Sequence, residues 1–371
     1  MRILVAPTAY KGTFSPAQIA VAMARGIEDF ARSTGKTMSV DLLPIADGGD
    51  GTVESLSISA NAMMREYAVL GSCNEKRIAF WVELKDCAVV ELASACGIAG
   101  LQKSDLNPLA AHTRGLGEVL RHVLETSHLT EIIVALGGSA STDGGCGVLL
   151  ELGGKFFDRD GFEFRPTGGI DLMRIEKCDL SVARELVGGK TIRIATDVEN
   201  PLLGEDGAAY VFAPQKGASL EQVKILDEAL EKFANLIEST NHVSVRHVRG
   251  AGAAGGTAFG LAAGLGAEII SGFDWISRSL ALDEKIRDTD LVFTGEGRVD
   301  KSSLQGKVVG SLRNLCTQFQ KPLWIMAASL SSDIDAESLG IDLIKGIAAE
   351  NSMANEQDIS RVVCETLQEH F

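Results

Sequence analysis

Apolar runs and amphipathic segments alternate at both ends of the chain. At the N-terminal end, Ser15 is predicted to cap a helix with Pro16 at its first position, because apolar residues then recur at helical spacing. Strands are predicted at 3–7, 40–45, 291–294, 323–327 and 343–347, with further helices near 53, 307–318 and 358–369. Because strands that alternate with helices form parallel sheets, the two ends of the chain together predict one five-stranded sheet.

The middle of the chain has a different pattern. Strands are predicted at 66–71, 78–84 and 89–92, and the short connections between them favour antiparallel pairing. Longer α/β elements follow, with strands at 132–136 and 192–195. We therefore predict an α/β protein with two domains. Residues 1–62 plus 287–371 form a flavodoxin-like, doubly wound parallel sheet, and residues 63–286 form a second α/β domain with mixed strands, inserted into the first.

Composition and charge narrow the classes of function. The 371 residues carry a formal net charge of −15, which argues against a nucleic-acid partner, because phosphate backbones select basic surfaces. Anionic ligands must then be held by helix N-termini, a few basic side chains or a divalent cation. The uncharged stretch 250–267 holds mainly glycine and alanine, so we expect a close-packed helix and no membrane span. The start of the chain shows no signal-peptide pattern, and seven scattered cysteines are typical of reduced thiols, so we expect a cytoplasmic protein.

Six glycine-rich turns follow apolar strands and carry charged or hydroxyl side chains. They are residues 8–13, 46–52, 137–145, 196–201, 249–256 and 295–300. In open α/β sheets, ligands bind at the carboxyl ends of the strands, where glycine lets backbone N–H groups approach an anion. Each turn alone also has a structural explanation; for example, Asp47 and Asp50 can cap a helix, and Lys11 can lie in solvent. His112, which lies outside these turns, is assigned no catalytic role. It is the number of such turns that predicts a ligand site.

A dinucleotide site is the alternative that one of these turns raises. Residues 250–255 match G-x-G-x-x-G, and they follow a predicted strand at 243–248 and open a predicted helix. However, Glu268 precedes the next strand, whereas the acid that binds the ribose should follow it. A nicotinamide-dependent hydroxy-acid dehydrogenase and a non-enzymatic nucleotide- or acid-binding protein therefore remain as alternatives.

Seven motifs, in order along the whole chain, resemble those of the type-1 glycerate kinase family. They are Ala6-Pro7 with Lys11-Gly12, then residues 44–52, 136–145, 196–204, 212–218, 250–256 and 294–298. The resemblance implies an enzyme that uses ATP and Mg²⁺ to phosphorylate glycerate. It favours 2-phosphoglycerate, with 3-phosphoglycerate left open, and it implies an active site in a cleft between the two domains. Thr8-Ala9-Tyr10 and Asp50 depart from the family's usual residues.

The resemblance also suggests roles for individual residues, because phosphoryl transfer needs positioning and charge stabilisation. Lys11 and Arg298 are assigned to the charge of phosphate or carboxylate. Asp47, Asp197 and Glu296 are candidates for Mg²⁺ ligation or general base, with the two roles not separated, and Asp300 is a weaker candidate. The residues assigned to binding substrate or phosphate are Gly48, Gly49, Gly137, Gly138, Ser139, Thr142, Asp143, Gly295 and Gly297. No sequence feature sets the oligomeric state.

Overall fold

The chain forms two compact units. The structure, a computed structural model, describes residues 1–10, 13–46, 48–299, 308–331, 334–347 and 355–371. Unit 1 comprises Met1–Asp47, Glu54–Ala62 and Phe273–Phe371, and unit 2 comprises Gly48–Val53 and Met63–Gly272. The boundary at Gly272 comes earlier in the chain than the domain boundary at 286/287 that the sequence predicts.

The described residues alternate between strands and helices along most of the chain. The strands are β1 (Arg2–Val5), β2 (Ser39–Leu42), β3 (Met64–Leu70), β4 (Lys76–Glu83), β5 (Cys87–Glu91), β6 (Glu131–Ala135), β7 (Lys155–Phe157), β8 (Glu163–Phe164), β9 (Lys177–Asp179), β10 (Thr191–Ala195), β11 (Glu268–Ile270), β12 (Leu291–Val299), β13 (Leu323–Leu330) and β14 (Leu343–Gly346). The α-helices are α1 (Pro16–Thr34), α2 (Thr52–Ser59), α3 (Leu92–Cys96), α4 (Arg114–Thr126), α5 (Cys146–Glu151), α6 (Ser181–Val187), α7 (Ala208–Phe212), α8 (Leu220–Asn241), α9 (Ala253–Leu265), α10 (Gly272–Ser279), α11 (Leu282–Arg287), α12 (Val308–Phe319), α13 (Ala336–Leu339) and α14 (Glu356–His370). Short 3₁₀ helices lie at Lys103–Asp105, Gly169–Arg174 and Pro214–Lys216.

Unit 1 is built on a five-stranded parallel sheet in the order β14-β13-β12-β1-β2. The predicted five strands and their parallel pairing are confirmed. Ser15 caps α1 through a capping box with Gln18, as the sequence predicts for the start of that helix. The helix packs against α14 so closely that a Cβ at Gly26 would lie 2.3 Å from the carbonyl oxygen of Ser360.

One boundary in unit 1 was predicted wrongly. The sequence predicts that the strand starting at Leu291 ends at 294 and that a turn follows. Instead, β12 continues to Val299 and stays paired with β13, with Arg298 opposite Ser329. Glycines at 295 and 297 interrupt the apolar pattern without ending the strand, because the backbone of β12 stays hydrogen-bonded to β13. The pattern of side chains along the sequence does not show this pairing.

Unit 2 contains a six-stranded mixed sheet in the order β11-β10-β6-β5-β4-β3. Strands β3, β4 and β5 pair antiparallel, as predicted, whereas β5, β6, β10 and β11 pair parallel. A second, three-stranded antiparallel sheet has the order β8-β7-β9. The carboxyl ends of β5, β6 and β10 therefore lie side by side at one edge of the mixed sheet.

Helix α9 occupies the uncharged stretch that the sequence singles out. It is buried, and Ala254, Gly255 and Gly256 interrupt its helical dihedral angles with positive φ values of 53°, 67° and 83°. The strand predicted at 243–248 is wrong, because those residues form turns and irregular structure. No helix within the described part of the chain is both long enough and apolar enough to span a membrane.

Candidate functional site

Two of the predicted glycine turns touch each other at the strand ends of unit 2. An added Cβ at Gly137, which follows β6, would lie 2.4 Å from the Cα of Gly49. An added Cβ at Gly48 would lie 2.7 Å from the carbonyl oxygen of Ala195, the last residue of β10. Side chains are excluded at both places, so the two backbones can approach closely only because these positions are glycine. The turn at 48–52 and the turn at 137–145 therefore form one surface.

The backbone of the second turn is fixed by the segment that follows α3. Ser139 forms an isolated antiparallel bridge with Gly97. The N–H of Ala140 donates to the carbonyl oxygen of Cys96 over 3.1 Å, and the N–H of Ile98 donates to that of Gly138 over 2.8 Å. Gly138 is exposed and has a φ of 61°, a conformation that favours glycine. The turn is thus ordered, with its glycine tip at the surface of unit 2.

Asp143 organises the far end of this turn. Its side chain is buried, with 1% exposure, and both carboxylate oxygens accept hydrogen bonds. Thr113 donates to Oδ2 from its backbone N–H and its hydroxyl, over 2.9 and 2.8 Å. Gly147 also donates to Oδ2, over 3.1 Å, and Gly145 donates to Oδ1, over 3.3 Å. In this structure Asp143 therefore holds the turn to the start of α4 and α5, while the contact with substrate stays a prediction, as it does for the buried Thr142.

His112 lies beside this carboxylate and is buried. Its Nε2 lies 3.1 Å from Oδ1 of Asn74, and its Nδ1 accepts from the N–H of Arg114 over 3.4 Å. Burial lowers the pKa of His112, although the charge of Asp143 opposes that shift. A neutral ring that accepts at Nδ1 and donates at Nε2 fits both contacts, which is a structural arrangement.

A lysine from another element supports the middle of the turn. Lys216 is 2% exposed, and its Nζ donates to Oγ of Ser139 over 2.9 Å and to the carbonyl oxygen of Ser141. Burial lowers the pKa of Lys216 to about 7, against the opposing effect of the Asp143 charge. Burial of a lysine away from water costs free energy, and the two oxygens that Lys216 binds both belong to the predicted turn 137–145.

A buried glutamate supports the neighbouring turn in a similar way. Glu91, the last residue of β5, accepts a hydrogen bond at Oε2 from the N–H of Val53 over 2.9 Å. Burial raises the pKa of Glu91 to about 7, while hydrogen bonds from the backbone of 51–53 oppose that shift. The N–H groups at the start of α2 are thus held by a side chain from the sheet.

Asp197 lies just beyond β10 at the same edge of unit 2. It is partly exposed, and its Oδ1 accepts from the hydroxyl of Ser271 over 3.0 Å. The turn at 249–256 approaches this segment, since a Cβ at Gly250 would lie 3.0 Å from the carbonyl oxygen of Val198. Another Cβ, at Gly255, would lie 2.2 Å from the carbonyl oxygen of Ser141. Four of the six predicted turns thus converge in unit 2.

The remaining candidates that the structure describes belong to unit 1. The N–H and hydroxyl of Thr8 both donate to the carbonyl oxygen of Gly295, over 2.9 Å each. Tyr10 is buried and its hydroxyl donates to the carbonyl oxygen of Met326 over 2.8 Å. Glu296 is partly exposed and Arg298 is exposed on β12. Segment 8–10 therefore runs beside the start of the predicted 295–298 motif.

Three predicted residues, Lys11, Asp47 and Asp300, lie outside the residues that the structure describes. Within the described ranges, no three His, Cys, Asp or Glu side chains cluster closely enough to hold a metal ion. Gly48, Gly49, Gly137, Gly138, Ser139, Thr142, Asp143 and Asp197 belong to unit 2, and Gly295, Glu296, Gly297 and Arg298 belong to unit 1. The catalytic, binding and metal-ligating roles assigned to all of these residues stay predictions.

Sequence reasoning missed two buried charges, Glu91 and Lys216. Both gave a signal. Glu91 lies inside an otherwise apolar run at 87–93, where a carboxylate is not buried without partners. Lys216 lies between Pro214 and Gly217 directly after a short apolar helix, in one of the seven motifs. The sequence pattern shows that a charged residue at these positions is unusual, but it does not show which backbone groups the charged side chain binds.

Comparisons with known proteins agree with this arrangement of motifs. The sequence profile of the glycerate kinase family matches residues 3–365. The chain is 39% identical over 347 residues to glycerate 2-kinase of Escherichia coli K12, covering 93% of this chain and 90% of that protein. It is 35% identical to glycerate kinase of Bacillus subtilis 168, covering 94% of this chain and 90% of that one. A crystal structure assigned as glycerate kinase 2 of Salmonella typhimurium LT2 matches with a TM-score of 0.83 and 32% identity, over 100% of this chain and 98% of that chain. The chain therefore belongs to the glycerate kinase family.

Proposed function

We propose that this protein transfers the γ-phosphoryl group of ATP to a hydroxyl of glycerate, giving 2-phosphoglycerate and ADP. The observation that carries the proposal is the match to the family over residues 3–365, together with relatives that bear the name glycerate kinase. The name glycerate 2-kinase of the Escherichia coli relative favours O2 over O3 as the acceptor. In unit 2, the turns at 48–52 and 137–145 approach each other closely through their glycines, and Gly138 is exposed, which is typical of turns that let a backbone meet an anion.

In this proposal, the chain's own residues do the positioning that phosphoryl transfer requires. In the proposal, the exposed Gly138, with the half-buried Gly137 and the buried Ser139 beside it, holds anionic oxygens of the substrates. Lys11 and Arg298 neutralise phosphate or carboxylate charge. One of Asp47, Asp197 and Glu296 takes the proton of the attacking hydroxyl, and the oxygen atoms of the others suit Mg²⁺, which prefers carboxylate ligands. The bound ion would supply charge neutralisation at the transferring phosphate.

We also propose a flavodoxin-like first domain. Counted along unit 1, the order of its five parallel strands reads 2-1-3-4-5, which is the order of that fold. On this proposal residues 1–62 plus 287–371 form that domain and residues 63–286 form the inserted one. The seven cysteines are all free, which is typical of a reducing compartment, and we place the enzyme in the cytoplasm.

A single set of assays tests the proposed function. The purified protein is incubated with ATP, glycerate and Mg²⁺, and ADP formation is followed by a coupled assay. We expect ADP formation that requires glycerate and that stops when EDTA removes Mg²⁺. Glycerate with NAD(P)⁺ should produce no change in nicotinamide absorbance. Oxidation of glycerate in that second assay, or binding of ATP without turnover in the first, would favour one of the two alternatives.

A further inference from the structure

Lys216 is a buried cation that the proposed roles leave unused. It ends the 3₁₀ helix Pro214–Lys216, and Gly217 follows with a φ of 94°. The proline sets the start of this turn and the glycine permits its left-handed end, so the short loop is well defined. From it, the lysine side chain reaches into the interior of unit 2, where it is 2% exposed.

The contacts of this ammonium group make a neighbouring hydroxyl oxygen a hydrogen-bond acceptor. Nζ donates to the carbonyl oxygen of Ser141 and, over 2.9 Å, to Oγ of Ser139. A protonated lysine has only donors, so Ser139 must accept with its lone pair, and its own O–H proton must be directed elsewhere. The bridge with Gly97 holds the backbone of Ser139, and the bond from Nζ leaves its O–H to donate to a different acceptor.

We propose that Lys216 is a positioning residue of the reaction, which fixes the Ser139 hydroxyl as a hydrogen-bond donor to an anionic oxygen of the bound substrates. The proposal rests on the proposed function, since it takes Ser139 to lie at the substrate. The anionic oxygen belongs either to the carboxylate of glycerate or to a phosphate of ATP, and both have the same hydrogen-bonding chemistry. Lys216 itself, being buried, acts through Ser139 and Ser141.

The protonation of Lys216 gives the proposal a pH dependence. Burial lowers the pKa of Lys216 to about 7, and Asp143 is the charged group that opposes this. A neutral amine has a lone pair that can accept the Ser139 proton, which would turn the hydroxyl inward. Substrate anions therefore bind the protonated form better, so binding raises the pKa of Lys216 and affinity falls as pH rises above about 7.

A purely structural role for Lys216 predicts something different. Lys190 also donates to two backbone carbonyl oxygens, those of Ser127 and Leu129, over 2.6 and 2.9 Å. Lys190 lies away from the glycine-rich turns, and neither of these two hydrogen bonds involves a hydroxyl group. If Lys216 only held the backbone together, K216M and K190M would both lower stability and leave the kinetics of the folded protein unchanged.

The test is a double-mutant cycle on the full chain, with K190M as the matched control. We expect K216M and S139A each to lower kcat/KM by about 10²-fold, and K216M in the S139A background to lower it little further. A rise in KM for glycerate identifies the carboxylate as the ligand, whereas a rise in KM for ATP or a fall in kcat identifies a phosphate. K216M with wild-type kinetics, or fully additive losses in the cycle, would overturn the proposal.

A second measurement covers the case in which K216M does not fold. In the wild-type protein, kcat/KM should fall by about tenfold for each pH unit above 7, and this limb should be absent from S139A. The same limb in S139A would overturn the role of Lys216. Calorimetric titration with glycerate distinguishes failure of the proposed function from failure of the role of Lys216. A wild-type protein that neither binds nor phosphorylates glycerate refutes the proposed function. A wild-type protein that does both, with a K216M variant that binds and phosphorylates glycerate equally well, refutes only the role of Lys216.

Discussion

Two glycine-rich segments look alike in the sequence but are held in different ways. The segment 137–143 in unit 2 is a turn held by two buried side chains, its own Asp143 and Lys216 from another element. The segment 295–298 in unit 1 is part of β12, and the backbone pairing with β13 holds it. Its charged side chains are partly or fully exposed, whereas Asp143 and Lys216 are buried.

The difference shows what a charge in a glycine motif can do. In the turn, the carboxylate and the ammonium group are engaged by the protein's own backbone and hydroxyls, so they shape the site. On the strand, Glu296 is partly exposed and Arg298 is exposed, so both stay candidates for contact with a ligand. A charged residue near glycines in the sequence can therefore either support the backbone or face solvent, and the burial of its side chain distinguishes the two cases.

The largest effect that this comparison predicts is on stability. Replacing Asp143 with alanine leaves four buried donor groups of Thr113, Gly145 and Gly147 without their acceptor, so we expect the free energy of unfolding to fall by about 4 kcal/mol. Urea denaturation measures it. Asp158 provides the control, because its Oδ1 accepts from the N–H groups of Asp160 and Phe162 in an exposed turn. A loss in D143A no larger than that in D158A would contradict the account.

The second effect is a pH dependence of stability due to Glu91. Its pKa is raised to about 7 in the folded protein from 4.5, so the folded state holds a proton that the unfolded state releases. Stability from this group is present below pH 4.5 and is lost as pH rises to about 7, by about 3 kcal/mol. Compared with E91Q, which does not titrate, the wild-type protein should lose stability across that window. Parallel profiles for the two proteins would show that burial does not perturb Glu91.

The third effect is on turnover and concerns the partly exposed carboxylates. D197N in unit 2 and E296Q in unit 1 should each lower kcat by about 10²-fold, as should D47N, because each removes a candidate base or metal ligand. The unfolding midpoint should change little, since the side chains of Asp197 and Glu296 are not fully buried. Circular dichroism with steady-state kinetics separates activity from folding. Near-normal turnover in all three variants would remove these carboxylates from the mechanism.

The smallest predicted effect is the difference in stability between alanine substitutions at Gly137 and at Gly295. In G137A the new Cβ meets the backbone Cα of Gly49 at 2.4 Å, so we expect destabilisation of about 2 kcal/mol. In G295A the nearest atom is the terminal Cε of Met23, at 2.9 Å, which can move, so about 1 kcal/mol is expected. Thermal denaturation of the two variants measures the difference. A larger loss in G295A than in G137A would reverse the comparison.

The sequence predicted the elements of the fold well where local signals are strong. Ser15 and Pro16 define the start of α1, and the spacing of 66–71, 78–84 and 89–92 predicted the antiparallel pairing of β3, β4 and β5. It failed at β12, where glycines suggested a turn that the neighbouring strand prevents, and at 243–248, where alternating valines form no strand. Both errors concern long-range pairing, which a local pattern does not contain.

The candidate site was predictable as a set of turns but not as an arrangement. Residues 48–52 and 137–145 were both singled out, yet their contact through Gly49 and Gly137 is visible only in three dimensions. The supports, Glu91 and Lys216, lie far from the turns in sequence. Their roles depend on which backbone atoms the fold places beside them, and spacing along the chain does not encode that.

The central claim is that glycerate receives the phosphoryl group of ATP, and identification of the product tests it most directly. Purified protein is incubated with Mg²⁺, ATP and glycerate, and the mixture is followed by ³¹P NMR, with authentic 2- and 3-phosphoglycerate as standards. We expect a new phosphate monoester resonance that coincides with 2-phosphoglycerate and grows as ADP forms. ATP that stays intact, or ATP that is hydrolysed to free phosphate without any glycerate ester, would contradict it.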